Sequence, residues 1–412
     1  MQISLFNKFL YFLLSLSLFI GFYYGEDSSG SGGHIADFYN TWELVLRFRE
    51  NLFIDFTNWI GIFPLHYQIL SIIQSFAKDQ YVLRFLYCLI SLIVPYLFYI
   101  CLKNKFERED KNLLYVFSLI LFLLPSFRSG AIWANSQITG LIFFLLSLLF
   151  LIKWSKKKNF DAIDINLILQ IVFLSLAVYT RQLYAVIFLY FVYIYYKKLK
   201  LKNFLIISFI IFLFALPGLF LVFNFPEMLS VSFNNKFYNS LLINSSIISF
   251  YLIPIYSILI FYHKIDFNFK NKKYLFSFLA LLILVLILSY FFNYNFRNGG
   301  GFFLKLSYIL FNNFYFFFLT SFIGLCLLFL ISFEDRDNLI LILLILFIFT
   351  STQIFQKYFE PMFLFVLFLI LKTKLSNLFF SNLKYIYIFY AYILAYFISA
   401  VINDIYQITK SI

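Results

Sequence analysis

Long apolar runs alternate with short polar breaks along the whole chain. The runs are continuous, roughly 15–25 residues each, and show no period-two alternation, so they predict membrane-crossing helices and exclude the strands of a barrel. Unpaired backbone cannot face lipid, which leaves the helix as the only form such runs can take. Spans are expected at about 9–24, 81–102, 112–126, 137–152, 165–180, 182–196, 203–223, 245–262, 274–293, 304–331, 338–355, 358–371 and 384–402, about thirteen in all. Among them 358–371 is short for a crossing and 304–331 is long.

Two stretches depart from this rhythm. Residues 25–60 are polar, and within them Phe38, Trp42, Val45 and Phe48 recur at helical spacing between charges. The pattern predicts an amphipathic helix over Asp37 to Leu52, lying at the membrane surface. Next, Phe63-Pro64-Leu65-His66-Tyr67 opens an apolar stretch that ends near Phe76. It is too short to cross and reads as an interfacial or re-entrant helix. The first run follows Lys8 as a signal peptide would, but Gly25-Glu26-Asp27-Ser28-Ser29-Gly30 lacks a good small-x-small cleavage site. A retained first span is therefore expected.

Composition sharpens the picture. Of 412 residues 63% are apolar and only 12% charged, which excludes a soluble enzyme, a disordered chain and a disulfide scaffold. The expectation is an all-α, polytopic helical bundle forming a single integral membrane domain over 1–412. The net charge of +13 does not signal nucleic acid here, because basic residues mark cytoplasmic loops. With the N-terminus inside and 61–77 not crossing, the inner side holds Lys8, Lys103/Lys105/Arg108/Lys111, Lys153/Lys156/Lys157/Lys158, Lys197/Lys198/Lys200/Lys202, Lys264/Lys270/Lys272/Lys273, Arg336 and Lys372/Lys374/Lys384. Were 61–77 to cross, the loops from Lys103 to Lys202 would face outward, against the rule. The C-terminus is then expected outside.

That topology gathers Glu26, Asp27, His34, Asp37, His66, Arg128, Asn135, Arg181, Gln182, Arg297, Lys357 and Glu360 on the outer face. Ionisable groups at the hydrocarbon boundary are costly, so each is a candidate for function. Asp37 opens the surface helix, where an acid also stabilises the helix dipole; Glu26 and Asp27 are its rivals as a catalytic carboxylate. Arg181, in Tyr179-Thr180-Arg181-Gln182, sits in a tight turn between two apolar runs. A guanidinium there suits bidentate phosphate recognition, the competing reading being a structural arginine bonded to carbonyls. Arg128 and Lys357 share this character. Arg297 precedes three glycines whose backbone amides could approach an anion, but the Lys-Ser/Thr of a phosphate-binding loop is missing. His34, His66, Tyr39, Asn135, Gln182 and Glu360 complete the set as candidate substrate contacts. His34, His66 and His263 have no metal-ligand spacing. Cys88, Cys101 and Cys326 fall inside apolar runs, and serine-nucleophile motifs are absent. No metal site or cofactor is indicated.

An outer-side Asp37 after the first span, the surface helix, Phe63-Pro64-Leu65-His66-Tyr67, and Leu83-Arg84-Phe85 opening the next span together resemble the GT-C superfamily of membrane glycosyltransferases. Pro125 to Asn135 resembles the loop after their third span, and Thr180-Arg181-Gln182 is similar to the Arg-Gln of the dolichyl-phosphate-glucose branch. The resemblance covers about residues 1–200, with an outer loop at 25–60; 201–412 match only as additional spans. Two features depart from the pattern. Many relatives carry Asp-Glu where this chain has Asp37-Phe38, which leaves either Asp37 or Glu26-Asp27 for the acid role, and Pro-Pro is here Phe63-Pro64.

The resemblance implies an inverting sugar transfer from a polyprenyl-phosphate donor to a glycolipid or glycan acceptor. It would act on the outer side of the cytoplasmic membrane, among membrane lipids. A carboxylate would take the acceptor's proton, and Arg181 with Lys357, Arg297 or Arg128 would stabilise the leaving phosphate. A surface-polysaccharide polymerase or ligase is the first rival; its usual large late outer loop is missing, the largest outer loop being the first. A lipid-linked glycan transporter is the second. It calls for mid-span charges or internal repeats, and the sequence shows few of the former and none of the latter.

Overall fold

The computed structural model describes residues 3–28, 34–51, 63–77, 79–157, 164–224, 236–265, 272–295, 299–348 and 353–411, with side chains to 405. All regular structure among them is helical. The chain packs as two units, residues 1–229 with 393–412, and residues 230–392.

In the first unit α1 (Leu5–Tyr24) starts at Ser4, whose hydroxyl accepts from the Asn7 amide, and stops at Gly25 in the left-handed conformation. The amphipathic α2 (His34–Glu50) follows and buries Phe38, Leu44, Val45 and Phe48. It packs against the short α3 (Leu65–Gln74), which is the helix expected from the apolar stretch after Phe63. Asp79 caps α4 (Gln80–Ser91), which continues almost directly into α5 (Ile93–Lys105).

The expected third span behaves differently. α6 (Lys111–Ser118) and a 3-10 stretch (Leu119–Leu123) are followed, after a 67° bend, by α7 (Pro125–Ile132). Proline causes the bend: it pushes the preceding residue out of the helical region, and Leu124 is extended at φ −82°, ψ 117°. Pro125 then serves as the first residue of α7. Residues 127–132, expected in an outer loop, instead form a buried helix. Asn135 caps α8 (Ser136–Ser155), Asp164 caps α9 (Ile165–Thr180), and α10 (Tyr184–Lys198) and α11 (Leu201–Asn224) complete the set. α8 runs along α9 and α5. A Cβ on Gly140 of α8 would lie 2.8 Å from the Tyr184 ring and 3.1 Å from Thr180 Oγ1, so only glycine lets the α9–α10 corner close on α8.

The second unit is built on α12 (Phe237–Phe261), which buries Ser240, Asn244, Ser245, Ser246 and Ser249. α13 (Lys272–Phe291), α14 (Gly301–Phe311), α15 (Tyr315–Glu334) and α16 (Arg336–Ile348) follow. α12 and α15 approach through small residues, as membrane helices do. Ser321 Oγ donates to Leu242 O at 2.9 Å, and a Cβ on Gly324 would fall 2.2 Å from Ser245 O. The long expected span at 304–331 is broken at Asn312, which has φ 52°, into α14 and α15. The short one at 358–371 is a buried irregular segment containing α17 (Met362–Phe365) and a π-helical turn (Val366–Ile370). α18 (Lys374–Phe379) and α19 (Leu383–Ser411) end the chain.

Among the described residues eight helices are long and apolar enough to cross a membrane, or nine with the bent pair as one span. They begin at Leu5, Gln80, Ser136, Leu201, Phe237, Lys272, Tyr315 and Leu383. The protein is thus a helical, multi-pass membrane protein. Its remaining helices, such as Ile165–Thr180 with 16 residues and Arg336–Ile348 with 13, fall short of that length.

Candidate functional site

The first unit brings one group of the sequence candidates together at the start of α2, the start of α3, the N-terminus of α8 and the α9–α10 corner. Asp37 lies half-buried in the first turn of α2. Asn135 is oriented by its own capping bond: Oδ1 accepts the Gln137 amide at 3.0 Å, which turns Nδ2 toward Asp37. Nδ2 donates to Asp37 Oδ2 across 3.5 Å.

Tyr67, in the first turn of α3, is buried. Burial chiefly, with the Asp37 carboxylate adding to it and the Arg181 guanidinium opposing, pushes its phenol up to about 12. The charges of Asp37 and Arg181 are therefore both felt by the same buried tyrosine. Arg181 follows α9 in an extended conformation (φ −149°, ψ 118°), with its amide donating to Ala177 O and its carbonyl accepting from the Tyr184 amide. Gln182 is half-buried in the same corner.

Behind Asn135 stands His66, only 1% exposed. Its Nε2 lies 3.0 Å from Ala134 O and its Nδ1 3.0 Å from Thr139 Oγ1. A carbonyl only accepts, so Nε2 carries the proton and Nδ1 accepts from the Thr139 hydroxyl. Burial takes the imidazole down to about 3; the Ala134 bond works against this and the Arg181 charge adds to it. His66 is neutral across the ordinary pH range. The Tyr87 hydroxyl lies 2.8 Å from both Asn135 O and Thr139 Oγ1, so its single proton is shared between them, and it receives the Thr139 amide at 3.1 Å.

Glu26 and Arg128 meet elsewhere in the same unit and satisfy each other. Arg128 Nε donates to Glu26 Oε1 at 2.8 Å and Nη2 to Oε2 at 2.6 Å. Its other N–H groups go to Ser17 Oγ, Ser17 O and Phe122 O. A guanidinium has five N–H donors and all five are used, which leaves none for a phosphate. The reading of Arg128 as a donor-phosphate contact and of Glu26 as a general base is therefore set aside in favour of a buried structural pair. Asp27 sits at the entrance to α2, its Oδ2 accepting the Ile35 amide at 3.2 Å and its own amide donating to Asp404 Oδ2 at 3.0 Å. His34 is fully buried as the first residue of α2, and Tyr39 is 61% exposed.

The remaining candidates belong to the second unit. Glu360 is fully buried and accepts from the Tyr251 hydroxyl at 3.0 Å; Gln356 Nε2 donates to the same hydroxyl at 3.2 Å. Gln356 Oε1 receives the Phe302 amide at 3.2 Å, at the opening of α14. Gly299, Gly300 and Gly301 all take positive φ there. Lys357 is buried with Nζ 5.3 Å from the Phe355 ring centre. Arg297 lies outside the described residues.

Thr139 and Tyr87 of the first cluster were not singled out by sequence reasoning, and Tyr67 and Arg84 stood only within quoted motifs, with no role assigned. Asn135 and Thr139 are four apart at the head of an otherwise apolar helix, a spacing that puts both on one face. Arg84 packs its guanidinium 3.4 Å from the centre of the Trp133 ring and donates to Ile132 O at 2.9 Å. With Phe38 also beside it at 5.6 Å, it ties α4 to the turn before α8 and to α2. Comparison with known proteins finds no matching family model, no matching curated protein and no matching solved structure.

Proposed function

We propose that this chain is a membrane glycosyltransferase moving a sugar from a polyprenyl-phosphate donor to a glycolipid or glycan acceptor. The observation that carries the reading is that Asp37 and Arg181 both lie close enough to buried Tyr67 for their charges to act on it. A half-buried carboxylate and a guanidinium near one another supply a proton acceptor and an anion partner. The acceptor hydroxyl attacks the anomeric carbon as its proton passes to Asp37. The bond from that carbon to the phosphate oxygen breaks with inversion, and the charge that develops on the lipid phosphate is met by Arg181. Asn135 holds the carboxylate in place, and no step needs Glu26 or Arg128. In this reading the shorter helices also cross, giving about thirteen spans, and Asp37 and Arg181 face the non-cytoplasmic side of the cytoplasmic membrane.

The test is donor turnover by the purified protein against a panel of polyprenyl-phosphate sugars. Wild type should consume at least one donor, and Asp37→Asn should consume none while still eluting as a folded species. Turnover by Asp37→Asn at the wild-type rate would overturn the assignment. Sidedness is read separately, by a membrane-impermeant thiol reagent on Tyr39→Cys and Lys198→Cys in intact cells; only the first should label.

A further inference from the structure

We propose that His66 is a positioning residue for the Asp37 carboxylate, acting through the strained turn at Ala134 and the side chain of Asn135. The inference deepens the transferase reading, and its activity arm rests on that reading.

Ala134 has φ 46°, in the left-handed region where a side chain is unfavourable. Such a residue holds its conformation only when its surroundings impose it. Three groups do so here. The Asn135 amide donates back to Gly130 O at 2.9 Å, closing the end of α7. His66 Nε2 donates to the Ala134 carbonyl at 3.0 Å from one side. The Tyr87 hydroxyl meets the Asn135 carbonyl at 2.8 Å from the other. Through Nδ1, His66 also takes the hydroxyl of Thr139, one turn further along α8. One imidazole thus pins both the turn and the first turn of the helix it leads into.

What the turn aims is the Asn135 side chain. Its oxygen is committed to the α8 cap and its nitrogen faces Asp37 Oδ2 at 3.5 Å, a separation of the kind that tightens when substrate arrives. A small rotation of the turn moves that nitrogen out of reach. His66 is shielded from water and held as one neutral tautomer, so it has no proton to exchange in the reaction. Its part is geometric.

The experiment has two arms. The first follows modification of Asp37 by carbodiimide and an amine at one fixed pH, read by mass spectrometry on the full-length protein in detergent. This arm needs no substrate. Asn135 Nδ2 covers Asp37 Oδ2, so releasing it in His66→Phe should speed Asp37 labelling severalfold. His66→Gln, which keeps an N–H for the Ala134 carbonyl, should stay near wild type. An unchanged labelling rate in His66→Phe, or equal changes in both variants, overturns the proposal. Should His66→Phe not fold, Ala134→Gly asks the same question by loosening the turn directly, and a labelling rate identical to wild type again overturns it.

The second arm is donor turnover. His66→Phe should lower kcat about a hundredfold, the scale on which slight misplacement acts, with donor KM little changed and His66→Gln rescuing. Loss of folded protein with unchanged kcat per folded molecule assigns His66 a structural part only and overturns the proposal. If wild type turns over no donor while His66→Phe still changes the Asp37 labelling rate, the coupling stands and the transferase reading falls.

Discussion

Removing Glu26 should cost this protein far more than removing an ordinary loop carboxylate. The Arg128 side chain is 3% exposed and that of Glu26 10%. Two charge-assisted bonds join them, and the other three guanidinium N–H groups end on Ser17 and Phe122. The pair therefore fastens the end of α1 to the buried α7, and a Glu26→Gln change leaves a guanidinium shut away from water with its counter-charge gone. Breaking one side of a buried pair typically costs about 3–5 kcal/mol. At about 1.4 kcal/mol per decade, the lower bound already shifts the folded-to-unfolded ratio by more than a hundredfold. Arg128→Met should be comparably harmful, because it strands the Glu26 carboxylate. Glu26→Leu combined with Arg128→Met removes both charges and replaces them with apolar volume, and such exchanges are often neutral or better.

The assay is a thermal challenge in detergent followed by size-exclusion elution of the surviving monomer. Both single variants should lose their folded peak well below the wild-type temperature, and the double variant should recover most of the difference. A double variant as unstable as the sum of the two singles would show that the residues do not act as a pair. Single variants that melt like wild type yet lose donor turnover would return Glu26 and Arg128 to the chemistry and refute the structural assignment.

Three further outcomes are expected. Arg181→Ala should raise the donor KM at least tenfold and leave the acceptor KM nearly unchanged, as measured by initial rates with each substrate varied; equal loss for both would make Arg181 structural. His66 titrates near its ordinary value of 6.5 when unfolded and near 3 when folded. The unfolded chain therefore binds the extra proton first, so this contribution to stability is complete above about pH 6.5 and is lost as pH falls toward 3. Melting should drop between pH 7 and pH 5 in wild type and by a smaller amount in His66→Gln. Gly324→Ala places a Cβ 2.2 Å from Ser245 O, so α12 and α15 must separate; a loss of about 1–3 kcal/mol, seen as a lower melting temperature, should exceed that of Gly218→Ala, whose Cβ would approach no atom closer than 3.2 Å.

Much of the fold is legible in the sequence because lipid imposes a simple rule on length and polarity. Seven of the eight described helices long enough to cross coincide with expected spans and the eighth is the second part of 304–331, and the amphipathic pattern from Phe38 to Phe48 becomes α2 with Phe38, Val45 and Phe48 buried and Trp42 partly so. Departures occur where a local signal competes with hydropathy. Pro125 turns the chain near the end of the run at 112–126 and the polar stretch beyond it folds as a buried helix, and Asn312-Asn313 divides the long stretch at 304–331. At 356–371 every residue but Tyr358 is buried, so hydrophobicity there reports packing inside protein as readily as contact with lipid. The periodicity of an apolar run cannot separate these two uses.

The candidate site was legible in its charges and illegible in their partners. An arginine between two apolar runs and an acid opening a surface helix stand out because water is scarce around them. Arg128 stood out for the same reason, yet the structure gives it a carboxylate, a hydroxyl and two carbonyls, which is the alternative fate of any buried cation. Which fate applies depends on contacts between residues about a hundred positions apart, and no local pattern encodes them. Arg181 differs from Arg128 in one physical respect that bears on function: it is half-buried at a corner, with its charge felt by Tyr67 and His66, whereas Arg128 is sealed behind a matched acid.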